Sequence, residues 1–260
     1  MPSTPRIAPA VHPAVIELRQ YTLRPGRRDE LIELFDREFV ETQEATGMLV
    51  LGQFRDLDDP DRFVWLRGFT DMETRREALS AFYGGPVWAA HGPRANATMV
   101  DSDDVLLLRP LPVGADAGSG FAVSPSERGR EGSAAPERGG VPKRFVAVSL
   151  WHFPPGDEDG PALIHDRLVP ALRETGPAPL AVLATEPADN TFPRLPVRTG
   201  ENVVAVITSY PDEQAHRRHL ADATDHHPLV RDEILPAVER RQSAAPRHLR
   251  LTPTARSLVR

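Results

Sequence analysis

The chain has 260 residues, of which 40% are hydrophobic and 26% charged, and this length suits two domains of about 100 residues each. Its net charge of −6 argues against broad binding to nucleic acid or to anionic membranes. The sequence contains no cysteine, which excludes disulfides, zinc–thiolate sites and cysteine nucleophiles.

The N-terminal segment and the hydropathy pattern indicate a cytoplasmic protein. Residues 1–14 contain four prolines and no continuous apolar segment, so they predict a disordered tail rather than a signal peptide. No apolar run in the sequence approaches the roughly 20 residues that a membrane-spanning helix needs.

Residues 15–111 predict one βαββαβ unit. The opening strand starts at Val15, alternates apolar and polar residues, and ends at the turn Pro25-Gly26. Asp71 stands where the N-cap of the second helix is expected. The other predicted elements are helices over residues 27–46 and 72–83 and strands over residues 48–55, 62–70 and 105–109.

Residues 112–143 change character and predict a flexible linker outside the fold. They are rich in Gly, Ser, Ala, Pro and charged residues, and Phe121 is their single aromatic residue. Such a segment is expected to bury too little apolar surface to offset its ordering entropy.

The second half repeats the spacing of the first. Pro25-Gly26 matches Pro155-Gly156 at an offset of 130 residues, and Asp71 matches Asp212 at an offset of 141. The extra residues fall in a hairpin loop, where an insertion costs little. Residues 144–254 therefore predict a second, diverged ferredoxin-like domain, and residues 255–260 a C-terminal tail.

The fold class predicted by this pattern is α+β, with two tandem ferredoxin-like βαββαβ units. Each unit is expected to form an antiparallel four-stranded sheet with both helices on one face. The uncovered faces can then pack against each other, which gives one intrachain barrel in a monomer. Homo-oligomer formation through the outer sheet edges stays open.

Several short motifs resemble the NIPSNAP family of the dimeric α/β-barrel superfamily. They are ELRQYTLRPG in the opening strand, Trp-Leu-Arg-Gly-Phe ahead of Asp71, the pair Arg75-Arg76 and the Pro-Val-Trp that follows. The resemblance covers residues 15–110, whereas residues 144–254 share only spacing. It implies an intrachain α/β-barrel, and relatives in the superfamily include cofactor-free monooxygenases, haem-degrading enzymes, lyases and stress proteins.

Alternation in two strands suggests a site in the first half. We expect Ile16, Leu18, Val64 and Leu66 to face the helices, so that the polar residues of the same strands line the barrel interior. The predicted catalytic residues there are Arg19, Tyr21 and Arg67, which would polarise an oxygen of the ligand. The predicted ligand-binding residues of the first half are Glu17, Trp65, Phe69 and Trp88.

A purely structural role for these polar residues is the alternative. Glu17 would then pair with Arg19 or Arg67 across the strands, and the cluster would only join the two sheets. A cavity of about 300 Å³ or more beside Arg19 and Tyr21 would favour a ligand site, and a filled interface with paired charges would favour the structural role.

The second half lacks the charged residues. The positions of Glu17, Arg19 and Arg67 correspond to Ala147, Ser149 and Thr208. We therefore predict a single site, in the first half, to which two residues of the second half contribute apolar wall, namely Trp151 and Tyr210.

Histidines offer two further hypotheses. His91 follows Trp88 and is the candidate general base, although a solvated helix end is the alternative. His216 and His219 have a spacing that can ligate a metal, but their charged surroundings favour an exposed helix end. No metal is predicted, because no third ligand is placed with this pair. No haem is predicted, because the sequence has no obvious axial histidine with an apolar pocket. No nucleotide cofactor is predicted, because there is no glycine-rich phosphate loop in a strand–turn–helix context.

The function predicted from these observations is binding or transformation of a small aromatic or carbonyl-bearing metabolite without a cofactor. If the protein is an enzyme, the expected type is a cofactor-independent monooxygenase, isomerase or lyase. The alternative is a non-catalytic interaction or scaffold protein with a structural polar interior.

Overall fold

A computed structural model of the protein describes residues 12–113, residue 121 and residues 144–260. The predicted tail before residue 12 and the predicted linker, apart from residues 112–113 and Phe121, lie outside these residues. Within them no helix has the length and apolar character needed to cross a bilayer.

The first unit has the predicted βαββαβ order. Its first helix contains one π-helical turn, and its second crossover consists of two helices. The elements are β1 (Val15–Leu23), α1 (Arg28–Leu34, the π-helical turn Phe35–Phe39, and Val40–Glu44), β2 (Leu49–Asp56), β3 (Arg62–Phe69), α2 (Met72–Tyr83), α3 (Pro86–Asn96) and β4 (Met99–Leu111).

The second unit repeats this order after residue 144. Its first helix again contains a π-helical turn. The elements are β5 (Phe145–His152), α4 (Asp159–Ala162, the π-helical turn Leu163–Leu168, and Val169–Thr175), β6 (Ala181–Thr185), β7 (Val203–Tyr210), α5 (Glu213–Asp225), α6 (the π-helical turn Val230–Ile234, and Leu235–Glu239) and β8 (Arg247–Pro253).

Local sequence fixes the start of the second helix in each unit. Asp71 accepts a hydrogen bond from the backbone N–H of Thr74 at 2.7 Å, and Asp212 accepts one from that of Ala215 at 2.7 Å. Each carboxylate therefore satisfies a donor that the first helical turn leaves unpaired. The two predicted N-caps are confirmed.

The eight strands form one closed barrel in the order β1-β3-β2-β8-β5-β7-β6-β4. Each unit contributes four neighbouring antiparallel strands, and the pairs β2–β8 and β4–β6 join the units. Because the barrel is closed, the outer sheet edges, through which homo-oligomer formation had stayed open, are paired within the chain. The α+β fold of two ferredoxin-like units in one intrachain barrel is confirmed.

The expected orientation of the strand faces is wrong. Ile16, Leu18, Val64 and Leu66 lie inside the barrel, in one buried apolar cluster with residues from the second unit such as Val148. Glu17, Arg19, Tyr21, Trp65, Arg67 and Phe69 lie on the other face of the sheet, under the helices. Alternation defines which residues share a face, but it does not say which face the helices cover.

The barrel interior is closed by two segments outside the strands. Phe121 is buried in the interior apolar cluster, so this residue does not lie outside the fold as the linker prediction expects. At the C-terminus, the N–H groups of Leu258 and Val259 donate to the carbonyl oxygen of Leu51 at 3.1 and 3.0 Å. The C-terminal residues therefore pack along β2 and continue the apolar core.

Candidate functional site

A buried charge cluster lies between the first sheet and its helices. The Glu17 carboxylate accepts hydrogen bonds from Nη1 of Arg19 at 2.6 Å, Nε of Arg67 at 2.8 Å and Nε of Arg75 at 2.7 Å. All four side chains are buried. Among the described residues, Glu17 is the only acid that pairs with these three arginines, so the cluster carries an excess of positive charge.

This arrangement controls the ionisation of Glu17. Burial alone would raise the pKa of the carboxyl group, but the attraction of Arg67, Arg19 and Arg75 outweighs burial and holds the pKa well below its ordinary value. Glu17 is therefore ionised at neutral pH. The expectation that Glu17 pairs with the arginines is correct, with Arg75 as an additional partner.

Tyr21 connects the cluster to a cavity. Its hydroxyl oxygen accepts a hydrogen bond from Nε of Arg19 at 3.0 Å. Burial raises the pKa of Tyr21, although the charge of Arg19 opposes the change, so the phenol keeps its proton at neutral pH. Since the oxygen accepts from Arg19, the hydroxyl proton remains free to be donated to a ligand.

The cavity has a volume of about 420 Å³ and lies between β1, the helices α2 and α3, and the start of β4. Its polar lining includes the buried Arg19 and Tyr21 and the exposed Asp101, Asp103 and Arg194. Its volume exceeds the threshold that favours a ligand site. The structure thus contains both features that were set as alternatives, a paired charge cluster and an open cavity beside it.

Aromatic rings form one wall of the cavity. The rings of Tyr83 and Trp88 are 4.7 Å apart in an edge-to-face arrangement. The Trp88 ring lies directly on Gly92, where an added Cβ would be only 2.6 Å from the indole. Gly92 therefore allows Trp88 to fold back along α3 and to present its ring to the cavity.

A loop from the second unit covers this first-unit cavity. Phe192, Arg194, Leu195 and Pro196 lie in the long connection between β6 and β7 and line the cavity. Nη1 of Arg75 donates to Oδ1 of Asn190 at 3.0 Å and to Oγ1 of Thr191 at 3.3 Å. The insertion that distinguishes the second hairpin loop thus completes the site of the other unit.

The structure brings Arg19, Tyr21 and Trp88 together at the cavity, but not the other predicted residues of the first half. Glu17, Trp65, Arg67 and Phe69 are buried behind it. Arg67 does not line the cavity itself. Its Nη1 donates a hydrogen bond at 3.3 Å to the hydroxyl oxygen of Tyr83, which does line the cavity. His91 does not line the cavity, and its Nε2 is 3.4 Å from Oε2 of Glu38 in α1.

The structure has a second cavity, although the sequence predicted a single site in the first half. Trp151 and Tyr210 do not contribute to the first cavity, because they line a second cavity of about 330 Å³ under the helices of the second unit. Each unit has its own helix-covered face on the outside of the barrel. The two cavities therefore lie on different faces and share no lining residue.

In the histidine pair on α5, both ring nitrogens of His219 have hydrogen-bond partners within the protein. His219 is buried, with Nε2 at 2.9 Å from the carbonyl oxygen of Leu172 and Nδ1 at 2.8 Å from the hydroxyl of Tyr210. No group of three or more potential metal ligands occurs among the described residues. His219 is thus a buried structural histidine, not part of an exposed helix end as expected.

Sequence reasoning missed three contributors to the first site. Arg75 occupies a buried position of α2 with Ala78, Leu79 and Phe82, and a charged residue in an otherwise apolar helical stripe was the available signal. Tyr83 follows this stripe directly. The loop residues around Phe192 gave no such signal, because the contact depends on how the two units pack.

The fold and the site place the protein in the class of α/β-barrel proteins with a cavity between sheet and helices. Residues 16–114 match the model of the NIPSNAP family. The chain therefore carries a NIPSNAP domain in its first half, and the resemblance stated from the sequence is confirmed there. Among proteins with curated functions, none matches this sequence.

Solved structures with the same fold cover both halves. An anthrone oxidase-like protein is similar over 95% of this chain and 94% of its own, with 14% identity and a TM-score of 0.62. A proposed monooxygenase from Fusobacterium nucleatum is similar over 93% of each chain, with 11% identity and a TM-score of 0.56. Another from Lactobacillus acidophilus covers 93% and 94%, with 11% identity and a TM-score of 0.53.

Proposed function

We propose that the first-unit cavity binds a flat, enolisable aromatic ketone as its anion and that the protein oxidises this anion with O₂ without a cofactor. The observation that carries the proposal is the excess positive charge of the cluster around Glu17, which borders an aromatic cavity through Arg19 and Tyr21. A buried excess of cations stabilises an anion placed beside it.

Arg19 and Tyr21 have distinct roles in this proposal. Arg19 supplies the charge and holds the phenol of Tyr21 through its Nε. Tyr21 donates its proton as a hydrogen bond to the enolate oxygen. Together they lower the pKa of the bound ketone, and the proton released on ionisation leaves to water at the cavity mouth beside Asp101 and Asp103.

The shape and lining of the cavity support a flat ligand. Tyr83, Trp88 and Phe192 provide aromatic surface, and the rings of Tyr83 and Phe192 are stacked at 6.1 Å with 29° between their planes. Aromatic walls pack a planar ligand and exclude water from it. A cavity of about 420 Å³ falls within the usual range for small-molecule sites.

The reaction follows from the chemistry of such an anion. A benzylic CH₂ group next to the carbonyl system loses two hydrogens and gains one oxygen atom from O₂ as a new C=O group, while the second oxygen atom leaves with the two hydrogens as water. Electrons pass from the enolate to O₂. The names of the structural neighbours, an anthrone oxidase-like protein and proposed monooxygenases, support this choice over other reactions of an enolate.

Binding of the anion is tested with p-nitrophenol, a phenol whose ionised form is coloured. We expect the protein to lower the apparent pKa of the bound phenol, because the cavity favours the anion. Tyr21→Phe removes one hydrogen bond to a charged oxygen and should weaken binding about tenfold or more. Trp151→Phe, in the other cavity, is the matched control. An unchanged pKa of p-nitrophenol would contradict the proposal.

The oxidation is tested separately by O₂ uptake with anthrone. We expect uptake above the spontaneous rate, with anthraquinone as product, and a large loss in Arg19→Met. Binding of p-nitrophenolate without any O₂ uptake would retain the anion site and refute the oxidase. Arg19→Met removes one of three clustered cations, so its fold is expected to persist, which circular dichroism checks.

A further inference from the structure

The second cavity occupies the place that the charge cluster fills in the first unit. The strand registers are equivalent, since Glu17 lies opposite Arg67 and Ala147 lies opposite Thr208. Four residues of the second unit stand at the positions of Glu17, Arg19, Arg67 and Arg75 in the first, and all four line the second cavity: Ala147, Ser149, Thr208 and His216.

This exchange of large charged residues for small neutral ones explains why the space is open. One carboxylate and three guanidinium groups fill the layer in the first unit, whereas a methyl group, two hydroxyl groups and one imidazole leave about 330 Å³ unfilled. Two aromatic residues, Trp151 and Tyr210, remain in the lining. The cavity therefore results from residues specific to the second half.

The described lining of this cavity has no permanently charged side chain. Within the described part of the chain, no carboxylate, arginine or lysine lines the cavity. Burial, with nearby His219, His248 and Arg250, lowers the pKa of His216 to about 4 even though Glu213 opposes the change. Burial also lowers the pKa of His248. A charged ligand would lose its hydration here without gaining an opposite charge.

Hydrogen-bonding groups are nevertheless available. His216 contacts the rings of Phe145 and Tyr210 at 4.8 and 5.0 Å between centroids, and among the described residues its imidazole has no hydrogen-bond partner. Oγ of Ser149 lies 2.9 Å from Nδ1 of His248. A neutral imidazole offers one donor and one acceptor, which suits a hydroxyl or carbonyl group.

We propose that the second cavity is a separate ligand site, which takes an uncharged, flat and largely apolar molecule with one hydroxyl or carbonyl group bound by His216. The two units of one chain thus bind ligands of different charge. Leu220, which lines the cavity and is 45% exposed, provides an apolar rim through which such a molecule enters.

The test compares two probes with the same naphthalene ring, neutral 2-naphthol and anionic 2-naphthoate, by isothermal titration of the whole protein at neutral pH. We expect 2-naphthol to bind the second cavity. Ala147→Phe fills the floor of the second cavity and should weaken the binding of 2-naphthol at least about tenfold. The binding of 2-naphthoate should stay unchanged in this variant. His216→Phe keeps the ring stacking and should weaken 2-naphthol severalfold through the lost hydrogen bond.

Two controls keep the result decisive. Arg19→Met in the first cavity should leave 2-naphthol affinity at the second cavity unchanged. If Ala147→Phe does not fold, Ala221→Trp blocks the cavity from an exposed helix position and should have the same effect. Absence of 2-naphthol binding, equal affinity in the filled or blocked variant, or displacement of 2-naphthol from this site by 2-naphthoate would overturn the proposal.

Discussion

The two units of the chain share a scaffold and differ in the layer between sheet and helices. Both contribute to one apolar barrel interior, and both begin their second helix with an aspartate N-cap. In the first unit the layer under the helices is filled by Glu17 and three arginines, with a cavity beside them. In the second unit the same positions are small and neutral, and the cavity lies in their place.

This difference shows which part of the fold is constrained. The barrel interior must match across both units, because each strand packs against strands of the other sheet and any change of volume is felt there. The two helix-facing layers lie on separate outer faces of the barrel and their cavities share no lining residue, so one layer can change without the other. Two layers with opposite electrostatic character can therefore exist within one closed barrel.

The first prediction concerns Glu17, the acid at the centre of the charge cluster. Glu17→Gln leaves Arg19, Arg67 and Arg75 buried without a counter-charge, and we expect a loss of about 3–5 kcal/mol in the free energy of unfolding. Urea unfolding measures this loss. The exposed pair Glu73–Arg76 on α2 offers a control, since Glu73→Gln should leave the free energy of unfolding almost unchanged.

The stability of the protein should also depend on pH in the acid range, because of the carboxylate of Glu17. Since the pKa of Glu17 is lowered in the folded state, its stabilising effect is complete above the ordinary pKa of 4.5 and is lost as the pH falls toward the folded value. The Glu17→Gln variant should lack this contribution. Equal stability of the two proteins at neutral pH would show that the arginines have another counter-charge.

A second prediction converts the first unit into the second. Replacing Glu17, Arg67 and Arg75 together by their counterparts Ala, Thr and His removes the acid and two of its cations at once. The triple variant should be more stable than Glu17→Ala alone by about 2 kcal/mol, because fewer unpaired charges stay buried. Unfolding curves of the single and triple variants decide this, and a triple variant less stable than the single one would refute the charge argument.

These results indicate what the sequence could and could not predict. Strand alternation, the Pro-Gly turns and the spacing to Asp71 and Asp212 depend on local geometry, so the two βαββαβ units followed from them. The side of the sheet that the helices cover is not local. Both faces of β1 carry residues that can be buried, and on the polar face Glu17 is buried with a third cationic partner, Arg75 of α2, which lies far away in the sequence.

The same reasoning applies to the site. Arg19 and Tyr21 were predicted because strand alternation places them on one polar face, and Trp88 because an aromatic residue after the second helix could pack a flat ligand. The cover by Phe192 depends on packing between units, which no pattern within one unit shows. The second cavity was missed because loss of charge was interpreted as loss of a site, although small residues can open space for a neutral ligand.

A third, smaller effect concerns the loop from the second unit. Phe192→Leu keeps apolar volume but removes the ring stacked on Tyr83, so p-nitrophenolate should bind about threefold to tenfold more weakly. Binding of 2-naphthol to the second cavity should not change. Equal losses for both probes would mean that the loop supports the whole fold rather than the first cavity.

The smallest expected effect distinguishes the two units by pH. His216 has its pKa lowered from 6.5 to about 4 in the folded protein, so the unfolded chain takes up a proton at this residue in a range where the folded protein does not. This histidine thus makes the protein lose stability as the pH falls from 6.5 toward 4. His216→Phe keeps the ring packed against Phe145 and removes the titration, so its unfolding free energy should fall less between pH 7.5 and about 5 than that of the native chain.

Arg75, the counterpart of His216 in the first unit, stays charged throughout this range. Arg75→Met should therefore lower stability without changing its slope with pH between these values, and an unchanged slope in His216→Phe would show that the imidazole does not titrate as its buried position requires.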